Sequence, residues 1–214
     1  MDYIVFENVS KIFSGNTVLE NVNFSLSRGD IAGFSGRNGT GKTVLFKMLA
    51  GLIKPTGGTV TVDGEPLGNS FIKSAGMMIE TPGFIPHYSG LKNLKILNSI
   101  SEKKADIAVI KSLMKELSLD PESDKQVSKY SLGMRQKLGI IQAVMNDPEI
   151  LILDEPVNSL DAASAAAVLD MLKKINAEKN TTILIASHIN EELTGLCRRR
   201  FILDGNTLKE EPAV

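Results

Sequence analysis

Residues Gly36, Arg37, Asn38, Gly39, Thr40, Gly41, Lys42 and Thr43 stand directly after an apolar run, Ile31 to Phe34, and directly before a helix-like stretch, Val44 to Leu52. Glycines at this spacing let backbone N–H groups turn inward around an anion. The lysine supplies a point charge for the outer phosphates, and the threonine hydroxyl offers a ligand to magnesium. Because strand, loop and helix coincide, the run implies a nucleoside triphosphate site.

A second apolar run, Ile150 to Leu153, ends at Asp154-Glu155-Pro156 and is followed by Ser159-Leu160-Asp161. Adjacent carboxylates can divide the labour of phosphoryl transfer: one holds magnesium while the other orients and deprotonates the attacking water. Upstream, Ser131 in Tyr130-Ser131-Leu132-Gly133-Met134-Arg135-Gln136 reads as a helix N-cap. Gly133 exposes N–H groups in the first turn there, so the segment is either a second phosphate contact or an ordinary capped helix. A third run, Thr182 to Ala186, ends at Ser187-His188; a lone histidine after a strand is more often structural than catalytic.

Three apolar runs ending in polar residues are how a parallel sheet presents ligand-binding groups at its carboxyl edge, with helices on both faces. The N-terminal third differs. Tyr3 to Phe6, Val22 to Leu26 and Thr59 to Val62 read as short strands of an antiparallel flank. Between Gly90 and Asp147 strand signals give out, while Ile107, Ile110, Met114 and Leu117 recur at helical spacing and Pro121 closes that segment. The expectation is one α/β domain over residues 1–214, with a helical lobe at roughly 90–147 inserted in it. Phe201 to Leu203, turned by Asp204-Gly205, is expected as a final strand, and Arg198-Arg199-Arg200 before it reads as a solvated charged edge or a contact for anionic lipid.

With 214 residues, 43% of them hydrophobic, the chain can bury one substantial core. No stretch approaches the roughly 18 apolar residues of a membrane span, and Met1 to Phe6 do not read as an export leader, so a soluble protein is expected. A net charge of −1 with both signs mixed lacks the footprint of a nucleic-acid binder. The only cysteine, Cys197, cannot form an intramolecular disulfide and is expected as a small, partly buried apolar residue in a reducing cytosol.

In this order the motifs resemble those of the nucleotide-binding subunits of ABC transporters, over essentially the whole chain. The resemblance implies a P-loop NTPase with a RecA-like core, an antiparallel β flank and a helical lobe, acting on ATP with Mg2+. Gly36 to Thr43 then match the Walker A loop and Ile150 to Asp154 the Walker B strand. By the same resemblance Glu155 would be the water-activating glutamate, Ser159 to Asp161 the D-loop, and His188 the switch histidine on the terminal phosphate. Phe13 occupies the place of an aromatic that stacks on adenine, a core phenylalanine being the other reading. Two such subunits, identical or closely related, are implied to sandwich two ATP. Ser131 and Gly133 would reach the terminal phosphate on the opposing subunit, and Asp161 would communicate across the dimer. A separate transmembrane permease would hold the subunit at the inner face of the cell membrane, docking near Pro82 to Leu94; the other reading of that segment is that its aromatics, Phe84 and Tyr88, simply face the helical lobe.

Two departures from the family pattern stand out. The signature, usually Leu-Ser-Gly-Gly-Gln, reads Tyr130-Ser131-Leu132-Gly133-Met134, which keeps the serine and second glycine but adds bulk and loses an amide. Where the family places a glutamine at the end of a strand, this chain has Glu80. Both features resemble the subgroup serving bacitracin and lantibiotic-type peptides. Glu80 is a candidate magnesium ligand, a partner for the attacking water, or a solvated loop residue. The competing functions are a soluble ABC-type switch in DNA-repair or ribosomal machinery, whose relatives carry coiled coils or tandem modules absent here, and a small-molecule kinase, which needs an acceptor pocket and a lid.

Overall fold

The computed structural model describes residues 2–68, 70–188 and 195–211. Strands β1 (Asp2–Phe13) and β2 (Asn16–Ser27) form a hairpin through Ser14 and Gly15, both at positive φ as a tight two-residue turn requires. The sequence suggested shorter strands here. The reason is visible in the backbone: Asn8 and Asn21 sit at φ 51° and 48°, where the β1/β2 register shifts. Each irregularity resets the alternation, so that Ile4 and Phe6 are buried before it and Val9 after it, and Leu19 before it and Val22, Phe24 and Leu26 after it. A strict period-two reading stops at those points.

After β3 (Ile31–Ser35) and α1 (Lys42–Leu49), β4 (Gly57–Val62) and the two-residue β5 (Glu65–Pro66) complete an antiparallel sheet in the order β2-β1-β4-β5. The chain continues through β6 (Ala75–Met78), α2 (Gly90–Ile100), α3 (Ile107–Glu116), a short 3-10 turn at Val127–Lys129 and α4 (Leu132–Val144). It then forms β7 (Ile150–Asp154), α5 (Ala162–Lys179), β8 (Thr182–Ser187), β9 (Arg199–Asp204) and β10 (Thr207–Glu210). These strands build a second sheet, β10-β9-β3-β8-β7-β6, parallel except for the β10 edge.

Both faces of the second sheet are covered, which is why its strands read as unbroken apolar runs. Leu151, Leu153, Ile183 and Ile185 point into one core with α2 to α5, whereas Ile150, Ile152, Leu184 and Ala186 point into the other with α1 and the antiparallel sheet. Stacked and tilted rings of Phe6, Phe24, Phe34, Phe46 and Phe201 fill the space between the two sheets. The helical stretch expected from the sequence contains α2, α3 and α4, and α4 lies directly on β6.

The arginine cluster is neither a solvated edge nor a lipid contact at two of its three positions. Arg199 holds both carboxylate oxygens of Glu210 at 2.7 and 2.8 Å, packs over Phe201 and donates to the Ser25 carbonyl, tying β9 to β10 and β2. Arg200 pairs with Glu211 at 3.4 Å, and only Arg198 is exposed. Cys197 is buried, and burial pushes its thiol up to about 12.

Packing of α4 on β6 depends on Gly76, where an added Cβ would stand 1.8 Å from the carbonyl oxygen of Ala143. Backbone on both sides would have to separate. Gly76→Ala should therefore lower unfolding stability by about 1–3 kcal/mol in urea titrations at unchanged m-value.

Candidate functional site

Pairing in the parallel sheet sets three chain segments level. Ser35 at the end of β3 pairs with Ser187 at the end of β8, and Asp154 at the end of β7 pairs with Ala186. The phosphate loop, the acidic pair and His188 thus leave the sheet at one edge.

Helices α2, α3, α4 and α5 begin at Ser89, Asp106, Ser131 and Asp161, whose side chains accept the first-turn N–H bonds. Helix α1 begins differently. Its cap is Gly41, in the left-handed conformation with φ 101°, and no side chain caps its first turn. The free N–H groups and the positive end of the helix dipole are left for an anion. The loop before it is held by Thr40, which donates to the Arg37 carbonyl at 2.9 Å. Lys42 is buried, donating to the carbonyls of Gly36 and Arg37 at 2.6 and 3.3 Å. Its ammonium is 3.8 Å from Glu155 Oε1.

Thr43 donates to Asp154 Oδ2 at 2.6 Å. Asp154 is only 8% exposed, and burial holds its carboxyl above the usual carboxylate range, with the neighbouring Glu155 and Glu80 charges adding to the shift and Thr43 and Lys42 opposing it. Glu155 follows with φ 51°, an uncommon conformation for a side chain of its type. It is fixed from both sides: its N–H donates to Ala186 at 2.9 Å, and its carbonyl accepts from Gln136 Nε2 at 2.7 Å. Its carboxylate meets His188, whose Nδ1 is 2.8 Å from Oε2, so Nδ1 carries the proton in that contact.

A cavity of about 660 Å³ is lined by Phe13, Asn38, Gly39, Gly41, Lys42, Thr43, Glu80, Asp154 and Glu155. Phe13 is 42% exposed with Lys11 over its ring, which rules out the core reading of that residue. Ser131, Gly133, Asp161 and His188 do not line it. Ser131 Oγ accepts from the Met134 N–H at 3.2 Å, leaving its own proton to donate. Gly133 packs so close to the D-loop that an added Cβ would lie 3.1 Å from the Ser159 carbonyl. Asp161 accepts from the Ser164 N–H and hydroxyl, both at 2.9 Å, and those bonds lower its carboxyl. Leu132 is exposed and lines the cavity.

Glu80 is exposed on its loop but not free: its Oε1 is 2.6 Å from Lys47 Nζ. Sequence reasoning gave Lys47 and Gln136 no role. An isolated lysine or glutamine on a helix has no spacing signal that marks it. In the Pro82 to Leu94 segment, Asn93 ties down Ile85 through both backbone groups, Phe84 packs on the helical-side core, and Tyr88 sits between His87 and Lys92.

Known proteins resemble this chain along most of its length. The family described as ABC transporter matches residues 19–158. An uncharacterized ABC transporter ATP-binding protein, YybJ of Bacillus subtilis, is 41% identical over 89% of this chain and 87% of its own. The bacitracin transport ATP-binding protein BcrA of Enterococcus faecalis is 40% identical over 90% of this chain, which spans 64% of that relative's length. The lantibiotic transport ATP-binding protein SrtF of Streptococcus pyogenes is 31% identical, covering 96% of this chain and 89% of its own. A solved ATP-binding subunit of an ABC transporter superposes with a TM-score of 0.86 at 25% identity, over 99% of this chain and 90% of that one. The chain therefore belongs to the ABC transporter family, as an ATP-binding subunit and an ATPase.

Proposed function

We propose that this subunit closes with a second copy, or a close relative, around two ATP molecules and reopens on hydrolysis to drive a separate membrane permease at the inner face of the cell membrane. The observation that carries the reading is the Glu155 carboxylate, held between Lys42 and His188 at 3.8 and 2.8 Å beside the cavity. A carboxylate so placed can accept a proton from water as it attacks the terminal phosphate. Lys42 and the open N-terminus of α1 hold the phosphates, Phe13 offers a flat face to the adenine, and His188 fixes Glu155 and contacts the terminal phosphate. Ser131 and Gly133 serve the ATP of the opposing subunit, and the neighbouring D-loop, through Asp161, links the two sites.

The donor set suits magnesium, a hard cation that takes oxygen ligands and is held by one or two carboxylates together with substrate phosphates. Thr43 and Asp154 supply such oxygens, and Glu80 is the third candidate. Magnesium held by these residues would supply neutralisation of the negative charge that develops on the phosphates. Among the described residues no helix is long and apolar enough to cross a membrane, which fits a separate permease. The similarity to the bacitracin and lantibiotic transport subunits supports an antimicrobial peptide or drug as the exported cargo.

Light scattering on a sizing column tests the clamp. Glu155→Gln should be a monomer without nucleotide and a dimer with ATP and magnesium, and Ser131→Arg should abolish the dimer. A monomer under all conditions, with ATP binding shown separately, would contradict self-association. A second expectation concerns stability. The folded state keeps the Asp154 proton to higher pH than the unfolded chain does, so this group's contribution is lost as pH rises from the ordinary carboxylate range through the raised value. Asp154→Asn should therefore melt higher than the wild type at pH 7.5 without nucleotide, with the gain shrinking toward pH 4. The same variant should lose the magnesium-dependent gain in ATP affinity.

A further inference from the structure

Glu80 and Lys47 make a contact that the hydrolysis just described does not use. Glu80 follows β6, whose register sets Met78 beside Leu153 of β7, so it emerges next to Asp154 and Glu155 and lines the same cavity. Three carboxylates therefore border one space that is to receive a triphosphate. The glutamine that the family pattern places at this position would add no charge; a glutamate adds a negative one and needs a counter-charge.

Lys47 provides it from a defined place. It lies four residues after Thr43 on α1, so both project from one face of that helix. Thr43 ties that face to Asp154 at the end of β7 at 2.6 Å, and Lys47 ties it to Glu80 just beyond β6, also at 2.6 Å. The helix is itself anchored by buried Leu45, Phe46, Met48 and Leu49. Glu80 has φ 61°, a left-handed conformation that a glutamate in an unconstrained loop disfavours, so its placement is imposed by its surroundings. Only Oε1 is engaged; Oε2 makes no hydrogen bond or ion pair with a described residue.

We propose that Lys47 is a positioning residue for Glu80: it cancels the extra charge toward the nucleotide and fixes one carboxylate oxygen, leaving the other as acceptor for the metal and its water shell. This rests on reading the cavity as the ATP site. The pair then acts as a charge-balanced substitute for a neutral amide, with the phosphate-loop helix as its mount.

The test is ATP affinity by calorimetry in EDTA, where neither hydrolysis nor metal contributes, repeated with magnesium. Lys47→Met should weaken metal-free ATP binding by about tenfold, since it exposes the triphosphate to an unbalanced carboxylate. Lys47→Arg should stay within about threefold of wild type, and combining Lys47→Met with Glu80→Gln should restore affinity to the same range, as coupled neighbours do in a double-mutant cycle. A lysine that merely packs, or that touches the phosphates itself, would leave the affinity gain from Glu80→Gln the same with or without Lys47, whereas the proposed pair makes that gain several-fold larger in the Lys47→Met background than in the wild type. Wild-type affinity in Lys47→Met, or no recovery in the double variant, overturns the role given to Lys47 while leaving the ATP site intact. Failure of the unaltered protein to bind ATP removes the site and this inference together. Urea unfolding of each variant separates lost binding from lost structure.

Discussion

Ser35 stands beside Ser187, and Ala186 beside Asp154, in neighbouring parallel strands, so that three segments far apart in sequence leave the sheet at one level. Everything chemical here hangs on that register. A slip of one residue would turn each strand over and send its core residues to the wrong face. The two cores forbid it, since β7 and β8 place alternate apolar side chains into each. Packing thus does more than hold the domain together: it delivers the phosphate loop, Asp154, Glu155 and His188 to one edge.

At that edge the protein accepts local cost. Asp154 is buried with its carboxyl pushed upward, Glu155 has a left-handed backbone, and Glu80 adds another acid. Each is held by a specific partner: Thr43 for Asp154, Ala186 and Gln136 for the Glu155 backbone, Lys47 for Glu80. Two of these contacts, those of Thr43 and Lys47, originate on α1, and so does Lys42, whose ammonium is 3.8 Å from Glu155. The helix that presents its N-terminus to phosphate therefore also organises the acids around it, which couples anion binding to acid placement.

Much of this was legible from residues alone. Strands β3, β7 and β8 are buried on both faces and so appear as continuous apolar runs, and each ends in the polar residues that mark its role. What escaped had physical reasons. Bulges at Asn8 and Asn21 broke the alternation that would have revealed the full length of β1 and β2, and β6 has only four residues with a glycine among them. Arg199 and Arg200 looked like a surface feature because their partners, Glu210 and Glu211, come together with them only through the β9/β10 hairpin. Lys47 and Gln136 were invisible for the same reason: their significance lies in tertiary contacts with Glu80 and Glu155, not in any pattern along the chain.

The account stands most directly on Glu155 as the group that accepts the proton from water. ATP affinity and steady-state turnover measured side by side for the wild type and Glu155→Gln address it. The account predicts affinity within a few-fold of wild type and turnover reduced by about 10²–10⁴, the range for loss of a positioned general base. Near-normal turnover with unchanged affinity would contradict it and move the base elsewhere in the site.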